Sequence, residues 1–318
     1  MKHSLTRMFK LLILWFTYVH LINAEDRTGC RVDVNAENHT DIYCFNIALD
    51  KNEIPLDKTV PPSEFLTLHL FRSSGSIDEN SLANLRDLTT LSIDGSHLDK
   101  FILPELPRLT YLEIQSSTIP HLKGAFRNVN NLTSLSLGEN IIDIDEDDLE
   151  GLNNLERLKI YKENLTLGIL KHLKNLKGLR ITHCNIEEIP SAAFENNPNL
   201  VTVHIGDTPV EKIGEGAFDP LKKLETLWLT TTKLKSFDSD LTKELKNLKD
   251  LGIPARALTN LNTKKLIDNS PNFSKFDFLF YDTQCPELHK LEGDLSKIKK
   301  GVSIGFLSDW RHPQKTCT

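Results

Sequence analysis

Residues 224–234 read LETLWLTTTKL, and the same spacing of apolar and polar positions recurs along the middle of the chain. Residues 88–98 (LTTLSIDGSHL), 132–142 (LTSLSLGENII) and 176–186 (LKGLRITHCNI) are apolar at the first, fourth, sixth and eleventh positions and small or polar at the ninth. A period of 20–50 residues is the signature of a solenoid of stacked repeats. Nine copies start at intervals of 21 to 24 residues, at Phe65, Leu88, Leu109, Leu132, Leu155, Leu176, Leu200, Leu224 and Leu248.

Each copy contains the pattern of a short β-strand. In residues 224–229, Leu227 and Leu229 alternate towards the interior while Trp228 points away from it. One copy alone cannot cover its apolar stripe, so it has to stack against neighbours on both sides. We therefore expect one strand per repeat, joined into a continuous parallel sheet with an exposed face.

The repeat resembles that of the leucine-rich repeat family, and the resemblance covers about two-thirds of the chain. Residues 189–194 (IPSAAF) and 213–218 (IGEGAF) carry the outer-arc phenylalanine of extracellular, 24-residue repeats, and residues 124–126 (GAF) are similar. Among known proteins, the repeats resemble those of arthropod Toll and Slit and of secreted immune-recognition proteins. The resemblance implies an α/β fold: a right-handed, horseshoe-shaped solenoid with a concave parallel sheet and end caps stapled by disulfides.

The ninth position of each repeat is expected to form an internal polar ladder, usually of asparagines that satisfy backbone groups. Here it holds Ser73, Ser96, Ser117, Asn140, Glu163, Cys184, Thr208, Thr232 and Arg256. Serine, threonine and cysteine are small and can form hydrogen bonds, so they can replace asparagine. A buried, unpaired charge is costly, so we expect exposure or local distortion at Glu163 and Arg256. We expect Cys184 to be a buried free thiol.

Four segments are expected along the chain: a signal peptide (1–24), an N-terminal cap (25–64), nine leucine-rich repeats (65–271) and a C-terminal cap (272–318). The first segment has three basic residues, an apolar stretch over residues 11–22 and a small-residue cleavage site at Asn23-Ala24. That stretch is shorter than the ~20 apolar residues that span a bilayer, and no later stretch is long enough. The sequence therefore predicts a secreted, extracellular protein without a membrane span.

In a secreted protein the cysteines can form disulfides and the asparagine sequons can carry glycans. In an oxidising compartment we expect Cys30 to pair with Cys44 before the first repeat, and Cys285 with Cys317 after the last, as staples of the two caps. Four Asn-x-Ser/Thr motifs predict N-linked glycans, at least two of them occupied. These sites are Asn38, Asn131, Asn164 and Asn272.

Composition and motifs exclude several classes of protein. With 39% hydrophobic residues the chain is not disordered, and its net charge of −6 argues against general nucleic-acid binding. Phosphate-binding loops, nucleophile elbows and zinc-binding helix motifs are absent from the sequence. Ser92, His69 and Glu113 imitate a catalytic triad on adjacent strands, but no oxyanion site accompanies them. We therefore expect no enzyme, no cofactor and no metal site.

The outward strand positions are the candidate binding surface. Lys159, Tyr161, Arg180, His204 and Trp228 lie on neighbouring predicted strands and form a basic and aromatic strip on an acidic protein. Tryptophan, tyrosine and arginine are enriched at binding hot spots. The alternative is an incidental surface in which Trp228 folds over a neighbour.

We predict a protein ligand bound by the concave face, and the same face could serve a homodimer. The resemblance favours a role in innate immunity or adhesion. The alternative role is that of a venom or salivary effector acting on host proteins.

Overall fold

The computed structural model describes residues 28–50, 53–56, 58–279, 291, 293–295, 297 and 301–307. The helical elements in this part of the chain include three short 3₁₀ helices (Leu167–His172, Ser239–Thr242 and Ala255–Asn260) and the α-helix α1 (Thr263–Asn269), and the described residues 291, 293–295 and 297 are also helical. The strands are β1 (Gly29–Val34), β2 (His39–Phe45), β3 (Phe65–Phe71), β4 (Ser74–Ile77), β5 (Thr90–Asp94), β6 (His97–Phe101), β7 (Tyr111–Gln115), β8 (Ile119–His121), β9 (Ser134–Leu137), β10 (Ile141–Asp143), β11 (Arg157–Tyr161), β12 (Gly178–Thr182), β13 (Glu188–Ile189), β14 (Thr202–Gly206), β15 (Lys212–Ile213), β16 (Thr226–Trp228), β17 (Asp250–Gly252), β18 (Lys275–Leu279) and β19 (Ser303–Leu307).

A single 13-stranded sheet takes one strand from each repeat, in the order β1-β2-β3-β5-β7-β9-β11-β12-β14-β16-β17-β18-β19. All neighbours in it are parallel except β1 and β2, which form an antiparallel hairpin. Three two-stranded parallel sheets, β4–β6, β8–β10 and β13–β15, lie outside it. The predicted leucine-rich repeat solenoid with a concave parallel sheet is confirmed.

The strand register agrees with the prediction at every repeat. Leu91 and Ile93 are fully buried, whereas Ser92 between them faces outward, and the other strands repeat this alternation. The nine outward residues form one row across the sheet, each paired with the next: His69, Ser92, Glu113, Ser136, Lys159, Arg180, His204, Trp228 and Gly252.

The outer arc of the solenoid is filled by phenylalanines. Phe194 and Phe218 are fully buried and stack with ring centroids 5.9 Å apart, and Phe101 meets Phe126 edge to face at 6.5 Å. Burying one such side chain stabilises the fold by about 1.5–3 kcal/mol. The apolar core therefore extends through the array.

The sheet continues beyond the nine predicted repeats at both ends. At the N-terminal end, β1 and β2 place Cys30 opposite Cys44, and the predicted disulfide between them is present. At the other end, β18 and β19 extend the sheet past residue 271. Cys285, Cys317 and the predicted signal peptide lie outside the described residues.

The polar ladder forms in the first three repeats. The Ser96 hydroxyl accepts a hydrogen bond from the backbone N–H of Ser73 (3.1 Å) and donates one to the carbonyl of Asp94 (3.2 Å). Ser117 does the same for the N–H of Ser96 (3.1 Å) and the carbonyl of Gln115 (2.7 Å). Each serine thus joins its own strand end to the preceding repeat, as expected for small hydroxyl side chains.

The ladder is interrupted at Asn140, where the expectation of an internal asparagine is wrong. In the first three repeats the residue before the ladder position has a positive φ: Arg72 (49°), Gly95 (60°) and Ser116 (48°). In the fourth repeat Asn140 itself has a φ of 71°, and its side chain is exposed. Because the left-handed residue has moved by one position, the side chain turns out instead of in.

The other unusual ladder positions behave as predicted. Glu163 and Arg256 are exposed, and the Arg256 guanidinium donates to the carbonyls of Thr232 and Leu234. Cys184 is a buried free thiol, and burial raises its pKa to about 11. A thiol with such a pKa stays protonated at neutral pH and is a poor nucleophile.

A second polar ladder, which the sequence reasoning missed, lies just before six of the strands. The Asn154 Nδ2 donates to the carbonyl of Asn130 (2.9 Å), one repeat earlier. The same bond is made by Asn131, Asn175, Asn199, Asn247 and Asn272. The signal was an asparagine preceding the first leucine of most repeats.

Candidate binding surface on the concave face

The five predicted site residues lie together on the concave face. Lys159 on β11, Arg180 on β12, His204 on β14 and Trp228 on β16 occupy one row on four adjacent strands. Tyr161 stands two residues beyond Lys159, at the end of β11. Neighbouring strands are about 4.8 Å apart, so the row is about 15 Å long. We call these five residues the basic strip.

Unpaired positive charge occupies the first half of the basic strip. Lys159 and Arg180 are exposed and pair in register across β11 and β12. Arg157, two residues before Lys159, adds a third cation that the sequence reasoning did not select, although it has the same outward parity. In the described part of the chain no carboxylate oxygen lies within 4.0 Å of any of the three.

His204 contributes an aromatic ring to the strip at neutral pH, not a charge. Burial lowers its pKa to about 4, and the guanidinium of Arg180 lowers it further while Asp207 acts in the opposite direction. The ring is therefore neutral above pH 5. It contacts Trp228 edge to face, with ring centroids 5.6 Å apart.

Trp228 is half-buried because its ring folds over the next strand. A Cβ atom at Gly252 would come within 3.0 Å of the indole Cδ1, so the absence of a side chain there makes room for the ring. The indole Nε1 is buried, and no acceptor among the described residues meets hydrogen-bond geometry with it. The packing of this ring is that of the alternative interpretation, in which Trp228 covers a neighbour.

An acidic pair ends the row beyond Trp228. Asp250 on β17 and Asp277 on β18 flank Lys275, whose Nζ lies 2.6 Å from an Asp277 carboxylate oxygen and 3.9 Å from one of Asp250. Burial raises the pKa of Asp250 to about 6, aided by the charge of Asp277 and opposed by the indole of Trp228. The sequence reasoning missed this pair because β18 lies after the last predicted repeat.

A groove runs along the C-terminal ends of the strands of the large sheet, beside Tyr161. The Tyr161 ring stacks on His183 with centroids 4.1 Å apart, and His183 adopts a left-handed φ of 59°. The groove has a volume of about 890 Å³ and coincides with the interrupted part of the ladder. Its lining includes Tyr161, Lys162, His183, Asp207, Thr231 and Arg256.

Comparison with protein families assigns the repeat. Residues 63–169 match the BspA type Leucine rich repeat region (6 copies), and residues 174–234 match a Leucine rich repeat model. Together these matches cover just over half of the chain. The chain belongs to the leucine-rich repeat family.

Individual leucine-rich repeat proteins are similar over shorter stretches. The mouse (Mus musculus) volume-regulated anion channel subunit LRRC8B is 29% identical over 143 residues, 41% of this chain and 18% of that protein. Chicken (Gallus gallus) keratocan is 28% identical over 42% of this chain and 39% of its own length. Human lumican is 31% identical over 31% of this chain and 30% of its own. The chain thus matches well under half of each relative.

A solved structure supports the fold alone. The crystal structure of a TLR13–ssRNA13 complex superposes with a TM-score of 0.57 at 19% identity, over 67% of this chain and 32% of that one. At this identity the similarity shows a shared solenoid architecture and carries no ligand with it.

The leucine-rich repeat scaffold brings the three residues of the imitated triad into register without joining them. His69, Ser92 and Glu113 are direct neighbours on β3, β5 and β7, yet no hydrogen bond links Ser92 to His69. Within the described ranges no three histidine, cysteine, aspartate or glutamate residues are grouped so as to hold a metal ion. Among the same residues, no helix has the length and apolarity to cross a bilayer.

The four predicted glycosylation sites are exposed on the structure. Asn131 and Asn272 belong to the second polar ladder, where each Nδ2 already donates to a backbone carbonyl. Asn38 lies in the β1–β2 turn, and Asn164 accepts a hydrogen bond through Oδ1 from Asn185. Among the described residues, the Nδ2 that a glycan would modify therefore has no hydrogen-bond acceptor at Asn38 and Asn164, whereas it donates to a backbone carbonyl at Asn131 and Asn272.

Proposed function

We propose that this leucine-rich repeat protein is secreted and binds a protein partner through its concave face. The observation that carries the proposal is the row of unpaired cations, Lys159 and Arg180, followed by the rings of His204 and Trp228. Outside this row the chain is acidic, with a net charge of −6 for the full sequence. A local positive surface on an acidic protein selects a partner with an acidic, partly apolar surface.

The sheet is suited to binding because its side chains are fixed before the partner arrives. Every strand of the strip is hydrogen-bonded on both sides, so little conformational entropy is lost on association. Arg180 can donate two parallel hydrogen bonds to a carboxylate, and Lys159 acts as a mobile point charge. The half-buried rings of His204 and Trp228 offer apolar area beside these charges.

Secretion and glycosylation are part of the proposal. The Cys30–Cys44 disulfide supports an oxidising compartment, and the apolar N-terminal segment supports export. We assign the glycans first to Asn38 and Asn164, since their Nδ2 atoms are unengaged. The finer role, in innate immunity or adhesion, rests on the resemblance of the 24-residue repeats to those of secreted immune-recognition proteins.

Quantitative affinity capture with matched baits tests the proposal. Three secreted baits are compared: the wild-type chain, Lys159→Glu/Arg180→Glu on the concave face, and Lys123→Glu/Lys174→Glu, which makes the same charge change at two exposed lysines outside the strip. We expect a protein captured by the wild type and by the control to be depleted at least tenfold, about 1.4 kcal/mol, with the concave variant. Equal capture by all three baits would place the binding surface elsewhere.

A further inference from the structure

A second cluster of rings lies on the concave face, at its N-terminal end. Tyr43 on β2 stacks on His69 on β3 with centroids 4.8 Å apart and planes within 5°. Phe45 stacks on Phe71 across the same two strands at 5.1 Å, and His69 lies parallel to Phe71 at 6.0 Å. The four rings form a rigid two-by-two array, which we call the ring array.

A further ring contact lies at the start of the same two strands. Phe65, at the start of β3, is 47% exposed and meets His39 edge to face at 4.7 Å. In the described part of the chain, Phe65 and Val34 are the two large apolar side chains that stand exposed, and both lie at this end of the sheet.

Three carboxylates surround the ring array without a cation to neutralise them. Asp41, Asp94 and Glu113 project from β2, β5 and β7, and no lysine, arginine or histidine nitrogen of the described residues lies within 4.0 Å of them. Glu113 accepts hydrogen bonds from the Tyr111 hydroxyl and the Gln115 amide, both at 3.2 Å. Burial lowers the pKa of His69, while the charges of Asp41 and Glu113 act in the opposite direction.

The outward residue of β5 between the rings and Glu113 is a serine, and we call the space above its short side chain the slot. Ser92 on β5 pairs with His69 on one side and with Glu113 on the other. The two flanking strands are about 10 Å apart, twice the strand spacing, so the slot admits one extended side chain. Since His69 stacks on Tyr43 across β2 and β3, its other face is turned towards this slot. Asp94, two residues after Ser92, closes one end with negative charge.

We propose that this slot, between the ring array and Glu113, binds an arginine or lysine side chain of the protein partner. The inference rests on the proposed function, since it assumes that the concave face is the binding face. A cation above an aromatic face is attracted by the ring quadrupole, and the carboxylates add charge-assisted hydrogen bonds. An apolar group in the same place would leave desolvated, unpaired carboxylates, and an anion would be repelled.

The distance between the slot and the basic strip also sets the spacing of charges on a partner surface that fits the concave face. Ser92 on β5 and Lys159 on β11 are three strand spacings apart, about 14 Å. The concave face is therefore acidic and aromatic at its N-terminal end and basic in its centre. The surface that fits it presents a cationic side chain and an acidic patch separated by that distance.

Fluorescence anisotropy with defined peptides tests the slot. The probe is a fluorescein-labelled peptide in which five arginines alternate with glycine, and its counterpart carries citrulline, which has nearly the shape of arginine without the charge. We expect the arginine peptide to bind the full-length protein and the citrulline peptide not to bind. Asp94→Asn/Glu113→Gln should weaken the arginine peptide about tenfold, and Phe71→Leu about threefold through the lost ring face.

Matched controls keep the result specific to the slot. Glu105→Gln/Glu150→Gln removes two exposed acids outside the concave sheet and should change affinity less than twofold. Equal weakening by the slot pair and by the outer pair, or equal binding of the arginine and citrulline peptides, would overturn the inference. The basic strip can fail as a capture surface without affecting this titration, so the two proposals are tested separately.

Discussion

The pKa values of single side chains on the concave face depend on the neighbouring strands that pack around them. His204 and Asp250 lie two strands apart, and burial shifts their pKa values in opposite directions, to about 4 and about 6. In both cases the charged form is disfavoured because the ring of Trp228 and the neighbouring strands displace water. Such shifts cannot be deduced from the repeat pattern, since they depend on which side chains pack over Gly206 and Gly252.

These two shifts make opposite contributions to stability between pH 4 and 6.5. The pKa of His204 is lower in the folded state than its ordinary value of 6.5, so its contribution is present above pH 6.5 and is lost as the pH falls towards 4. The pKa of Asp250 is raised from 3.8, so its contribution is present below that pH and is lost as the pH rises through 6.

Asp250→Asn should therefore steepen the rise of the unfolding free energy from pH 4 to pH 6.5, and His204→Gln should flatten it, each by about 1–2 kcal/mol. Urea unfolding followed by circular dichroism at several pH values measures both. The control is His121→Gln, at an exposed histidine outside the concave face. Profiles of both variants that run parallel to the wild type would show that neither group is shifted.

The strands and their inward and outward residues could be predicted from the sequence, unlike the pKa shifts of single side chains. The row from His69 to Gly252 follows from the 21–24-residue period, because each leucine pair has only one way to face the core. The ring array could not be predicted in this way, since β2 carries Tyr43 and Phe45 without the leucine pattern. The turn at Asn140 could not be predicted either, because a one-residue shift of a positive φ does not change the spacing of the apolar residues.

The register itself makes a prediction at adjacent positions. Leu179 on β12 is 2% exposed, whereas Arg180 beside it is exposed. Leu179→Asp places an unpaired charge in the core and should destabilise the protein by more than about 4 kcal/mol. Arg180→Asp should stay within about 0.5 kcal/mol of the wild type. Thermal unfolding compares the two, and equal losses would contradict the inward and outward assignment of β12.

The whole molecule is a one-dimensional array, so its ends and its centre should lose structure separately. The Cys30–Cys44 disulfide joins the only antiparallel pair of the described sheet, at its N-terminal edge. Each repeat contacts mainly its two neighbours, and damage at one end has to travel strand by strand. The N-terminal ring array lies directly behind this edge, whereas the basic strip is several strands away.

Cys30→Ser/Cys44→Ser should therefore cost about 2–4 kcal/mol locally and open the β1–β2 hairpin first. Hydrogen exchange read by mass spectrometry should show faster exchange in β1 to β3 and unchanged protection in β11 to β14. A uniform loss of protection along the sheet would mean that the solenoid unfolds as one cooperative unit.

Hydroxyl-radical footprinting of the complex shows whether the partner covers the concave face. With the captured partner bound, we expect oxidation of Tyr161, His204 and Trp228 to fall severalfold. His97 and His121, which are exposed on the two-stranded sheets outside the concave face, should react as in the free protein. Protection of His97 and His121 with unchanged oxidation of the concave rings would show that the partner binds outside the concave face.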